Sequence, residues 1–75
     1  MKILSRREAA DRAGVSVSTV KREEAAERWP RRVQITANRV GYLESEIDNF
    51  IAERVAERDE YEAAAREAAA REAAA

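Results

Sequence analysis

The 75-residue chain contains no cysteine and no histidine. Without thiols there is no disulfide framework, no thiolate metal site and no thiol nucleophile. Without imidazole the usual general base and the commonest zinc ligand are missing. Aromatic residues are few: one Trp, one Phe and two Tyr. The two glycines, Gly14 and Gly41, are too far apart to build a phosphate-cradling loop. No apolar run approaches the ~18 residues of a membrane span. The opening Met1-Lys2-Ile3-Leu4-Ser5 lacks the apolar stretch of a secretory signal, so a cytoplasmic protein is expected.

Alanine accounts for 17 of the hydrophobic residues, and nine of those alanines fall within residues 62–75. The larger apolar side chains all precede position 62. One small domain follows, over residues 1–58, with a helical Ala/Glu/Arg-rich extension over 59–75. A core of that size supports only a few kcal/mol of net stability. The net charge of −1 conceals two unequal halves. Residues 1–43 carry ten basic and five acidic groups, and residues 44–75 carry four basic and ten acidic ones. A basic first half suits a polyanionic partner.

Ser5-Arg6-Arg7-Glu8 reads as a capping box, and Gly14 sits where a left-handed residue ends a helix. A short helix over 6–13 is expected, exposing Arg6, Arg7 and Arg12 while Ala9, Ala10 and Ala13 pack. Ser16 caps a second helix running to about Arg28, with Val15 and Val20 as a hydrophobic staple and Ala25 and Ala26 turned inward. Two short helices joined through Gly14-Val15-Ser16 make a helix-turn-helix, whose second helix can enter a major groove.

Pro30 stops that helix and disfavours helical geometry at Trp29. Val33 and Ile35, then Val40 and Tyr42, alternate as strands do, with Thr36-Ala37-Asn38 as a hairpin tip in which Asn38 can take a positive φ. Glu44 and Glu46 suit the positive end of a third helix, whose apolar stripe is Ile47, Phe50, Ile51 and Val55. The expected core is Leu4, Val15, Val20, Trp29, Val33, Ile35, Tyr42, Ile47, Phe50, Ile51 and Val55. From Glu62 the chain repeats Glu-Ala-Ala-Ala-Arg, a semi-rigid spacer with glutamates four residues before arginines. A five-residue period builds no stripe, so the tail reads as an inert extension of engineered type or, alternatively, as a natural helical arm. With the third helix it makes a rod of ~48 Å.

Catalysis has little to draw on. Glu44, Glu46 and Asp48 point in different directions on a helix, and Ser16, Ser18 and Thr19 lack a histidine to activate them. The sequence therefore reads as a non-enzyme with no cofactor and no small-molecule substrate. The one strongly amphipathic helix is acidic, which disfavours a membrane-surface role.

Four segments resemble the AlpA-like prophage regulators, a family related to excisionases and, more distantly, to MerR-type winged helices. They are Leu4-Ser5-Arg6-Arg7-Glu8-Ala9-Ala10, Ala13 to Val20, Trp29-Pro30-Arg31-Arg32-Val33, and Arg39 to Ile47. The second is generic to helix-turn-helix proteins. The last, a wing strand leading into Glu44-Ser45-Glu46-Ile47, is the most particular. Trp29 stands where the family often has Phe, and Tyr42 and Phe50 where it often has Trp. The resemblance implies an α+β winged helix-turn-helix in a bacterial, nucleoid-associated protein. It would bind double-stranded DNA as a regulator of integrase genes or as an excisionase-type directionality factor. Neighbouring copies on DNA, or a tyrosine integrase, are the implied protein partners.

Groove geometry distributes the roles. Val17, Ser18, Lys21 and Arg22 are expected to read base edges. Arg6, Arg7, Thr19, Arg31 and Arg32 would contact phosphates, and Arg39 with Asn38 the minor groove. The competing expectation is a helical adaptor or scaffold acting through its acidic C-terminal rod.

Overall fold

A computed structural model describes residues 1–74, and Ala75 lies outside the described residues. The order is β1 (Ile3–Ser5), α1 (Arg6–Ala13), α2 (Val17–Ala25), β2 (Val33–Thr36), β3 (Arg39–Leu43) and α3 (Glu44–Ala74). This is the expected α+β arrangement with one addition. The hairpin β2–β3 gains a third, antiparallel strand, giving the order β1-β3-β2. Three residues are too few to display a period, so β1 owes its form to pairing with β3, Leu4 opposite Tyr42.

That pairing divides the sheet into two faces. Leu4 and Tyr42 point inward and are fully buried with Val20 and Ile47, against Ala9 and Ala10 of α1. Trp29 closes one side, edge-on to Tyr42 at 6.3 Å and tilted against Phe50 at 5.1 Å. Val33 pairs with Gly41, one residue out of step with Tyr42, so it belongs to the outer face. A bulge between Gln34 and Thr36 follows, and Ile35 is 51% exposed. The expected core places for Val33 and Ile35 are thereby corrected: alternation gave the strand, and the register chose the other face. A Cβ on Gly41 would meet Ile3 Cγ2 and the Leu4 carbonyl oxygen, so glycine is needed where β1 lies against β3.

The capping box is present. The Ser5 hydroxyl accepts from the Glu8 amide at 3.1 Å and Glu8 accepts from the Ser5 amide at 3.0 Å. The bond from the Ser5 amide is the main influence holding the Glu8 carboxyl below its ordinary pKa. Gly14 is left-handed at φ 72° and closes α1 through Val15 N–H to Ala10 O at 3.0 Å.

Helix α2 stops at Ala25, three residues before the expected end. Arg28 N–H reaches back to Glu23 O and Glu27 N–H to Glu24 O, a Schellman closure that places Glu27 at φ 60°. The Arg28–Glu23 ion pair at 2.7 Å fastens the turn. Ala25 and Ala26 are exposed, correcting their expected burial. Asn38 keeps a negative φ, because Glu27 is the only non-glycine with a positive one among the described residues. A left-handed non-glycine costs ~1–2 kcal/mol, partly offset in glycine by its freer unfolded chain. Glu27→Gly is therefore expected to raise stability by ~0.5–1 kcal/mol in urea unfolding; a clear loss would contradict this account of the turn.

In α3 Ile47 is buried and Phe50 and Ile51 are half-buried. Val55 is 42% exposed, so the core ends one turn earlier than expected. Every described residue from Ala52 onward is exposed. The helix leaves the body as a rod, and the molecule measures 62 Å along its longest axis. Arg71 pairs with Glu67 at 2.9 Å within the repeat.

Candidate nucleic-acid interface

The turn after α1 fixes how α2 is presented. Ser16 Oγ accepts from the Thr19 amide at 3.1 Å and bonds the Thr19 hydroxyl at 2.9 Å. Val20 anchors the inner side of the helix. Spacings of three and four then put Ser18, Lys21, Arg22 and Ala25 together on the outer side, and all four are exposed. Three of these were expected from sequence. Ala25 was missed, because its small apolar side chain reads as inward-facing.

Other expected site residues stand differently. Val17 is half-buried and packs against the core, leaving only part of its side chain accessible. Thr19 is also half-buried, its hydroxyl engaged with Ser16. Arg6 is tied down: its Nε donates to the Tyr42 hydroxyl at 3.3 Å and its Nη2 to Glu24 Oε2 at 3.0 Å. The Tyr42 hydroxyl donates to the same Glu24 oxygen at 2.8 Å. Arg32 approaches the other Glu24 oxygen at 3.7 Å. Glu24, unremarked in the sequence, thus joins α1, α2, β3 and the segment leading into β2. Burial pushes the Tyr42 phenol up, opposed by the hydrogen bond from Arg6. The bond to Tyr42 is the main influence raising Arg6.

The remaining cations fall into two sets. Lys2, Arg12, Arg28, Arg54, Arg58 and Arg71 have carboxylates within 4 Å, with Arg12 bridging Glu44 and Asp48 of α3. Among the described residues Arg7, Lys21, Arg22, Arg31, Arg39 and Arg66 have no such partner. Five of these six belong to the helix-turn-helix, the hairpin and the segment leading into it. Arg39 shares the outer side of the sheet with Ile35 and Gly41, and Asn38 is exposed at the tip. Gln34 bridges the bulge, its amide donating to the Thr36 and Arg39 carbonyls.

No group of three or more potential metal-ligating side chains gathers among the described residues. Nor is any helix there long and apolar enough to cross a membrane. Neither a curated protein nor a solved structure matches the chain. A family model does: "Prophage CP4-57 regulatory protein (AlpA)" matches residues 2–55. That interval takes in all three strands, both short helices and the part of α3 that touches the body. The chain belongs to the AlpA family of prophage regulatory proteins.

Proposed function

We propose that this protein is a sequence-specific regulator that binds double-stranded DNA, laying the exposed side of α2 in the major groove and its β2–β3 wing along the neighbouring backbone. The observation that carries this reading is the segregation of cations. Those that hold the fold are paired with carboxylates. Arg7, Lys21, Arg22, Arg31 and Arg39 have no such partner and suit an external polyanion. Arg22 suits guanine O6 and N7, Ser18 a base edge, and Ala25 lets the helix approach closely. Val17 offers its accessible edge to a thymine methyl. Arg7 and Arg31 suit phosphates, and Arg39 beside Asn38 suits a narrow minor groove.

Control of an integrase gene and excisionase-type steering of recombination would share this contact. A domain of this size reads few base pairs, so useful specificity requires copies bound side by side. A mobility-shift assay with duplex from upstream of the protein's own gene tests the reading. A discrete shift that outlasts competition by scrambled duplex is expected. Equal competition by both duplexes would remove the sequence-specific part.

In this reading residues 59–75 are a spacer without a role in DNA contact. The repeat over residues 62–75 has a net charge of −1 and presents no base-reading cluster. Its removal is expected to leave DNA affinity within about threefold of the full chain. A large loss in the same assay would return weight to a working helical arm.

A further inference from the structure

We infer that Lys21, Arg6 and Arg32 form a single pocket for one DNA backbone phosphate, so that Lys21 grips the backbone instead of reading a base. The inference rests on the DNA-binding function proposed above and assigns a part of that site. Arg6, Lys21, Glu24, Ala25 and Arg32 line a common depression of about 470 Å³. It lies on the flank of α2, between the exposed side of that helix and the segment entering the wing. Three cations surround one carboxylate there, an excess of two positive charges.

Glu24 is spent within the cluster, with Arg6 at 3.0 Å and Arg32 at 3.7 Å. Its side chain is 18% exposed, so the negative charge sits at the floor. Lys21 has no carboxylate partner and Arg32 is 56% exposed, so these two present their charge at the mouth. Arg6 has committed Nε and Nη2 to Tyr42 and Glu24, which fixes the plane of its guanidinium beneath them. An anion entering between Lys21 and Arg32 meets the guanidinium of Arg6 already held in place, and a phosphate is the anion that DNA offers at the flank of a helix seated in its groove.

Helix geometry separates Lys21 from its neighbour. Arg22 is one residue on and ~100° around the axis, so the two side chains leave α2 toward different parts of the duplex. Glu24, three residues after Lys21, faces the same flank and reaches the wing side.

The test is a double-mutant cycle on the full chain, with Lys21→Ala, Arg32→Ala and both together. Affinity for the upstream duplex and for an unrelated duplex is measured across a salt series. Both positions are exposed, so the variants are expected to fold. One shared phosphate predicts that the double variant lowers the salt slope by about 1 in total. It also predicts equal weakening on the two duplexes. A fall of about 2 would mean two separate phosphates and would overturn the shared pocket. A change of base preference with Lys21→Ala would overturn it too, returning Lys21 to the base edges. Either result leaves the DNA-binding function standing, whereas a parent protein that bound neither duplex would sink both.

Discussion

Tyr42→Ala is expected to unfold the domain. Tyr42 has no exposed surface and occupies the inner face of the central strand, opposite Leu4 and edge-on to Trp29. Truncating a buried aromatic ring costs ~3–5 kcal/mol, comparable to all the stability a core this small can supply. The change also removes the hydroxyl that donates to Glu24 and accepts from Arg6. Tyr42→Phe separates the two contributions, because it keeps the ring. Loss of the hydroxyl alone is expected to cost ~1–2 kcal/mol, since Glu24 and Arg6 are partly solvated and find water. Urea unfolding followed by circular dichroism measures both. If Tyr42→Ala melted within a few degrees of the parent, the inner face of β3 would not be the centre of the fold.

Arg22→Ala is expected to leave the fold intact and to weaken binding at the preferred site by ~1–3 kcal/mol, with relaxed selectivity at one base pair. Arg22 is exposed, has no carboxylate partner and shares the outer side of α2 with Ser18 and Ala25. Its removal costs the body nothing structural and, in the proposed function, takes away a bidentate donor to guanine. Arg31→Ala should behave differently. It weakens binding by the same factor on all DNA and lowers the salt slope by about 1. A panel of duplexes with single base changes distinguishes the two patterns. If Arg22→Ala lost affinity uniformly while Arg31→Ala shifted base preference, the assignment of recognition helix and wing would be reversed.

Much of the fold was legible because its signals are local. The capping box at Ser5 and Glu8, the left-handed Gly14 and the Ser16 cap each depend on residues within one turn, and all are present. What escaped depends on distant partners. Strand β1 exists through its pairing with β3, and nothing within Ile3–Ser5 announces it. The alternation at Val33 and Ile35 identified a strand, but the register across Gly41 decided which face they occupy. The end of α2 was missed because a left-handed Glu27 is an unusual Schellman residue, held there by Glu23 and Arg28. The site divides in the same way. Exposed Ser18, Lys21 and Arg22 followed from helix period alone. That Arg6 and Arg32 are drawn to Glu24 could not, since those residues lie 18 and 8 positions from it. An acidic residue amid a basic half was the available hint.

In the proposed function Arg7, Lys21, Arg22, Arg31 and Arg39 lack internal carboxylate partners because DNA supplies their counter-charge. Fluorescence anisotropy of a labelled upstream duplex, titrated with the full chain at increasing salt, distinguishes this from a structural origin. With several phosphates neutralised, the logarithm of the association constant should fall linearly with the logarithm of salt, by about 0.9 for each phosphate. Charge-removing variants at Arg7, Arg31 and Arg39 should each flatten that line. Absence of binding at low salt, or binding with no dependence on salt, would contradict the claim and leave the acidic rod of α3 as the working surface.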